Sequence, residues 1–208
     1  MVLAPSNPEV HWDLSQKCLP FGKPTYVDKT FAPDLKTAEA IFALADKHKT
    51  AVQTASALRY TNVQAQVRQI GKEHVRHIVA WGAGGSFGEY AIHPTELVVS
   101  CMGPEVRRVM RRGAGKFSQI LLDFSDERTA TIQVYCQTET PFAAALSTDK
   151  ETRFITVEGA RLFVDTAAAI LDFFEAGEAQ VDRRESLAIR KILDLAGDAR
   201  AIDAFLDA

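Results

Sequence analysis

A carboxylate and an imidazole stand four residues apart in the segment GAGGSFGEYAIHPTEL, where Glu89 precedes His93. On a helix this spacing places both side chains on one face, within mutual reach. An imidazole held by a carboxylate can accept or donate a proton near neutral pH, as a general base or acid must. Pro94 is compatible with a first helical turn and disruptive further in, so we expect a helix that begins close to His93 or that begins at Glu89 and kinks. Taken alone, such a pair is more often a structural hydrogen bond, and both interpretations stay open.

The glycines before this pair raise the alternative of a phosphate site. A dinucleotide fingerprint needs the pattern G-x-G-x-x-G, so that the backbone can approach the pyrophosphate. Gly82 and Gly84 supply the first two glycines, but Phe87 stands at the third position. We therefore interpret the glycine run as a turn that admits positive φ and directs Glu89 and His93.

A second candidate for chemistry is Lys29, in the segment TYVDKT. It follows a short β-rich stretch at the position where a parallel strand would end. Open α/β sheets bind their ligands at the carboxyl ends of the strands. The alternative interpretation of Lys29 is a solvated charge at a strand end.

The elements that must position these residues fall into two groups. The first group alternates strand and helix, with predicted strands at about 2–4, 25–27 and 51–55 and predicted helices at about 9–19 and 34–49. Such alternation is typical of a parallel, doubly wound sheet. The second group opens with a helix at about 63–70, continues with strands at about 74–81, 117–124, 129–135, 142–146 and 153–157, and closes with helices at about 162–175 and from 182. These patterns predict a partial α/β unit over residues 1–56, joined to an α+β domain with a large, mainly antiparallel sheet over residues 57–208.

The composition excludes several classes of function. The chain has 24 Lys and Arg against 27 Asp and Glu, and this balance favours neither nucleic acid nor an acidic membrane as a partner. Its three cysteines, Cys18, Cys101 and Cys136, offer neither a disulfide framework nor metal-ligand spacing, so we expect a reducing cytoplasm and no metal. No apolar run reaches the roughly 18 residues that a membrane span needs. The N-terminal residues do not follow the pattern of a signal peptide.

Several segments, in order along the chain, resemble the Gfo/Idh/MocA oxidoreductases, the glucose–fructose oxidoreductase and inositol dehydrogenase family. GKPTYVDKTFAPDLKTAEAIFALADKHK resembles the segment around the Glu-Lys-Pro motif of that family. SALRYTN is similar to its crossing into the substrate domain, and GGSFGEYAIHPTELVVSCMGPEV to its glycine-led motif with a carboxylate before a histidine. VDTAAAILDFFEAGEAQVDRRESLAIRKILDLA is similar to its closing helices.

The resemblance implies a dehydrogenase that uses NAD or NADP and acts on a sugar, inositol or related polyol. It implies that His93 is the acid/base, that Glu89 is its neighbour, and that Lys29 holds the substrate hydroxyl and the nicotinamide region. It also implies a strand-end loop along the cofactor, formed by Pro5, Ser6, Asn7 and His11. Arg59 and Tyr60 would border the substrate pocket. The antiparallel sheet would serve as the surface of a homo-oligomer, a dimer or a tetramer.

Two departures from the family pattern qualify what the resemblance implies. The sequence Asp28-Lys29-Thr30 replaces Glu-Lys-Pro, which keeps the lysine but changes the turn that aims it. The family's first strand, its G-x-G-x-x-G turn and its acidic ribose ligand have no counterpart, so we expect a Rossmann-type unit that is N-terminally incomplete. The alternative function is therefore a non-catalytic dimerising or ligand-binding remnant of that family. The substrate and the choice between NAD and NADP stay open.

Overall fold

A small parallel sheet opens the chain. The computed structural model describes all 208 residues, and this sheet contains β1 (Val2–Leu3), β2 (Thr25–Val27) and β3 (Val52–Thr54), in that order. Its connecting helices are α1 (His11–Cys18) and α2 (Leu35–Lys47). The predicted alternation of strand and helix is confirmed. All three strands run in the same direction, so their carboxyl ends lie at one edge of the sheet.

Helix α2 shows why the first unit folds as the sequence predicts. The Asp34 side chain caps the helix by accepting the backbone N–H of Thr37 at 2.7 Å. The helix then buries residues that recur at helical spacing and pack against the sheet. These are Ala38, Ile41, Phe42 and Ala45.

The second sheet has seven strands in the order β10-β5-β6-β7-β4-β8-β9. The strands are β4 (His77–Gly84), β5 (Val106–Arg112), β6 (Phe117–Phe124), β7 (Thr129–Cys136), β8 (Ala143–Ser147), β9 (Thr152–Thr156) and β10 (Leu206–Asp207). All neighbours are antiparallel except β4 and β7, which run parallel with His77 opposite Thr129. The fold class predicted from the sequence is confirmed.

One face of this sheet is covered by α3 (Asn62–Ile70), α4 (Phe87–Tyr90), α5 (Ile92–Met102) and α7 (Arg183–Gly197). Helix α6 (Leu162–Ala176) packs instead on the short 3-10 helix Ala57–Arg59. Nearly every residue of α5 is buried, and the helix packs on alternate sheet positions such as Ile78, Ile120 and Ile132. Helix α7 contacts both α2 and α5, so it links the two sheets. None of these helices is long and apolar enough to cross a bilayer.

The opposite face of the sheet and part of α6 are exposed. Phe154 is 82% exposed and Phe117 is 62% exposed. Helical spacing predicts that α6 buries Phe163, Ile170 and Phe174. Phe163 is instead 78% exposed, Ile170 and Phe174 are partly buried, and Phe173 is the fully buried residue. The helix is apolar nearly all round, so its pattern does not determine which side faces the core.

Candidate active site

The carboxyl ends of the parallel strands and the start of α5 enclose a cavity of about 750 Å³, here called the His93 cavity. Its walls come from the loops after β1 and β2, from the α4–α5 corner and from α7. The residues that line it are Ser6, Asn7, Pro8, Glu9, Lys29, Thr30, Pro33, Gly88, Glu89, Tyr90, His93 and Arg190. Lys29, which is distant from Glu89 and His93 in the sequence, therefore meets them at one cavity.

The glycine run lets α4 and α5 pack closely against β4. A Cβ at Gly84 would lie 1.9 Å from the Tyr90 ring, and a Cβ at Gly82 would lie 2.8 Å from Pro94. None of the four glycines in this run has a positive φ. The predicted positive-φ turn is therefore wrong, because Gly82 and Gly84 are needed for close approach rather than for an unusual backbone conformation.

His93 lies in the first turn of α5 and is held through one ring nitrogen. Its Nδ1 lies 2.7 Å from the Ser56 hydroxyl, which is fully buried just after β3. The Ser56 oxygen also accepts the backbone N–H of Leu58 at 3.3 Å. No side chain hydrogen-bonds Nε2, so this nitrogen remains available to a ligand.

The electrostatic environment keeps the His93 imidazole neutral. Burial of the ring, with a smaller contribution from the positive charge of Lys29, lowers the pKa of His93 to about 4. Lys29 itself forms no ion pair with any carboxylate. A neutral base therefore lies beside an uncompensated cation at neutral pH, an arrangement that suits removal of a proton from a neutral group that becomes an anion.

Glu89 lines the same cavity but does not bond to His93. Its carboxylate accepts the Ser86 hydroxyl at 2.9 Å, and its N–H donates back to the Ser86 oxygen at 3.4 Å. This reciprocal cap ties Glu89 to the start of α4, which ends at Tyr90 before α5 begins. The predicted carboxylate–imidazole contact is thus replaced by the Ser56 contact, because Ser86 engages the carboxylate locally.

The predicted cofactor loop after β1 reaches the cavity in part. Ser6 and Asn7 line it, and Ser6 also donates to the Asp28 carboxylate at 3.1 Å. His11 is fully buried, with Nε2 2.7 Å from the carbonyl oxygen of Pro5 and Nδ1 3.0 Å from that of Phe31. Both ring nitrogens are therefore occupied by backbone groups, and His11 braces the loop instead of facing the cavity.

Arg59 and Tyr60 do not lie at the His93 cavity. The short 3-10 helix after β3 carries them to a different cavity, which shares no lining residue with the first. Arg59 is drawn inward by two buried carboxylates, Glu96 through its Nε and Glu185 through its Nη1. The prediction that Arg59 and Tyr60 border the same pocket as His93 is therefore corrected.

Three further residues lie at the site that no sequence motif or spacing predicted. Ser56 precedes His93 by 37 positions, and only the fold brings its hydroxyl to the imidazole. The Tyr90 ring lies 5.7 Å from the His93 ring, centroid to centroid. Arg190 of α7 donates through Nη1 to the Ala32 carbonyl at 3.1 Å, while its Nε has no partner.

The residues present fit only one end of a nicotinamide dinucleotide. Ser6, Asn7 and Lys29 offer polar groups at the strand ends, where a nicotinamide could lie. A pyrophosphate needs free N–H groups at a helix N-terminus. At α2 these groups are already taken, since Asp34 accepts Thr37 N–H and Asp194 accepts Leu35 N–H at 2.8 Å. The carboxylates of Asp34 and Asp194 at the start of α2 would repel a phosphate.

Comparison with known proteins establishes the fold. No family model and no curated protein matches the chain. Solved structures do match it. They include GenD2 from gentamicin A biosynthesis in complex with NAD, with a TM-score of 0.84 and 12% identity over 100% of this chain and 77% of that one. Myo-inositol 2-dehydrogenase from Lactobacillus plantarum has a TM-score of 0.82 and 12% identity over 99% of this chain and 78% of that one. Scyllo-inositol dehydrogenase from Lactobacillus casei has a TM-score of 0.81 and 12% identity over 98% and 77%. The chain therefore has the fold of these dehydrogenases.

Proposed function

We propose that the His93 cavity is the substrate side of an NAD(P)-dependent oxidoreductase site that acts on a secondary alcohol of a sugar, an inositol or a related polyol. The observation that carries the proposal is a neutral imidazole with one free nitrogen, beside Lys29, at the carboxyl edge of parallel strands. The likeness to solved inositol dehydrogenases agrees with it at the level of the fold.

His93 is the proton acceptor in this proposal. When Nδ1 bears the proton and donates it to Ser56, Nε2 carries the lone pair and can take the hydroxyl proton of the substrate. A base with a pKa of about 4 is weak toward an ordinary alcohol. The positive charge of Lys29 offsets this weakness, because it stabilises the developing alkoxide and so lowers the pKa of the substrate hydroxyl.

The cofactor is NAD or NADP. Ser6, Asn7 and Lys29 would hold the nicotinamide, which would supply the acceptor for the substrate hydride. Ser6 and Asn7 would orient that ring, and Lys29 would contact both the ring and the substrate hydroxyl. Pro5 and His11 act indirectly, because the His11 ring holds the loop through the carbonyl groups of Pro5 and Phe31.

We also propose the division into residues 1–56 and 57–208, with the first part holding the nicotinamide and the second the substrate. The exposed face of the seven-stranded sheet would join the subunits of a dimer or tetramer. Three cysteines without disulfides agree with a cytoplasmic protein.

A substrate panel tests the proposed reaction. Inositols, aldoses and polyols are each incubated with the protein and millimolar NAD⁺ or NADP⁺, and reduced cofactor is followed by absorbance. We expect reduction with at least one polyol or sugar, and its loss in His93→Ala but not in His74→Ala, an exposed histidine away from the cavity. If no compound reduces either cofactor, or if His93→Ala acts at the normal rate, the proposal is wrong.

A further inference from the structure

A second polar cavity, of about 420 Å³, lies between β3, α3 and α6, and is here called the Gln53 cavity. It shares no lining residue with the His93 cavity. Its volume falls within the range of small-molecule sites in proteins. The proposed reaction makes no use of it.

The Gln53 side chain has a fixed orientation. Its Oε1 accepts the backbone N–H groups of Gln180 at 2.7 Å and Val181 at 3.3 Å. Because one terminal atom of the amide accepts two N–H groups, it must be the oxygen, and the other terminal atom is the nitrogen Nε2. Gln53 is 2% exposed, and its Nε2 has no hydrogen-bond partner.

Arg59 and Tyr60 also place buried polar groups without hydrogen-bond partners in this cavity. Arg59 uses Nε for Glu96 and Nη1 for Glu185, which leaves Nη2 without a partner although its side chain is only 10% exposed. The buried Tyr60 hydroxyl also has no hydrogen bond of good geometry, and the Gln53 side chain lies close enough to it to act on its pKa. Three of the six buried side-chain atoms without partners in the whole chain therefore line this one cavity, and all three can donate.

The cations of the wall favour a ligand rich in acceptors. Arg68 adds a cation without an ion pair, Lys72 is paired with Glu185 at 3.1 Å, and Asp172 is the one acidic lining residue. Burial raises the pKa of Tyr60 to about 12, so the phenol keeps its proton and stays a donor. Buried donors without partners are rare in folded proteins and call for an acceptor.

We propose that the Gln53 cavity binds a compact oxyanion, the carboxylate or phosphate group of a small ligand, through Gln53 Nε2, Arg59 Nη2 and the Tyr60 hydroxyl. An oxyanion has enough lone pairs to accept from all three donors at once. Charge-assisted bonds of this kind combine affinity with orientation, which a neutral ligand with few acceptors would not provide.

Calorimetry with two probes, inorganic phosphate and malonate, tests the proposal on the whole chain. We expect one probe or both to bind, and the stronger of the two identifies the source of the oxyanion. Tyr60→Phe removes only the hydroxyl, and Gln53→Glu converts the free donor into an acceptor while it keeps an oxygen for Gln180. Each should weaken binding by about tenfold or more, whereas Lys150→Ala, which removes a cation from another surface cavity, should not.

Thermal melting of each variant without ligand separates binding from folding. If Gln53→Glu is unstable, Tyr60→Phe and Arg68→Ala carry the test, because both keep the contacts of Gln53 and of the Arg59 ion pairs. The proposal is overturned when neither probe binds at about 10 mM, or when binding is equal in the wild type and in the folded variants.

Discussion

Replacing His93 with glutamine should make the protein less sensitive to mild acid. The folded protein holds the pKa of His93 at about 4 by burial and by the charge of Lys29, against an ordinary value of 6.5 in the unfolded chain. Between these values the unfolded chain binds a proton that the folded protein does not. The free energy of unfolding therefore falls as pH decreases through this window, and the contribution of His93 is constant above the unfolded-state value of 6.5.

The expected size follows from the same two values. From about pH 7 to about pH 5, a group with these pKa values lowers the free energy of unfolding by about 2 kcal/mol. Because the ring is partly exposed, solvent screening reduces this to about 1–2 kcal/mol. Glutamine at this position can still hydrogen-bond to Ser56 but cannot titrate, so the variant should lack this part of the acid sensitivity.

Urea unfolding followed by circular dichroism, at both pH values, measures the difference. The wild type should lose about 1–2 kcal/mol more than His93→Gln, while His74→Gln, at an exposed histidine, should behave as the wild type. Carboxylates contribute equally to all three proteins and cancel in the comparison. Equal losses in the wild type and His93→Gln would refute the neutral, buried imidazole on which the proposed mechanism depends.

Three further predictions concern the site and the surface. Glu89→Gln should reduce the rate of hydride transfer far less than His93→Ala, because the glutamine amide oxygen can still accept the Ser86 hydroxyl. A rate in steady-state assays as low as that of His93→Ala would contradict this. NADH should bind only weakly, because carboxylates already occupy the start of α2, and micromolar binding by calorimetry would contradict this. Light scattering at micromolar concentration should find a dimer or a larger oligomer, because exposed apolar surface such as Phe154 costs about 25 cal/mol per Å² left in water. The variant Phe154→Asp should dissociate this oligomer. A monomeric wild-type protein would refute the interface.

Much of the fold could be predicted because local signals agree with it. The alternation of short apolar stretches with helical spacing predicts the parallel sheet, and Asp34 marks the start of α2 as a capping residue should. Lys29 follows β2, where the sequence predicts it. These features depend on neighbours in the chain, so a single sequence can reveal them.

The partners of the site residues could not be predicted in the same way. The Ser56–His93 contact and the Arg190 contribution join segments that only the folded chain brings together. The four-residue spacing of Glu89 and His93 favoured a direct bond, but the local cap with Ser86 prevails. Arg59 could not be located either, because its place depends on two distant carboxylates that are buried with it.

The role of His93 as proton acceptor is tested most directly by single-turnover hydride transfer. The reaction is followed at millimolar cofactor with the best compound of the panel, in wild type, His93→Ala and His74→Ala, and melting curves confirm that each protein is folded. We expect a rate about 10² to 10⁴ lower in His93→Ala and an unchanged rate in His74→Ala. A folded His93→Ala protein that transfers hydride at the wild-type rate would contradict it.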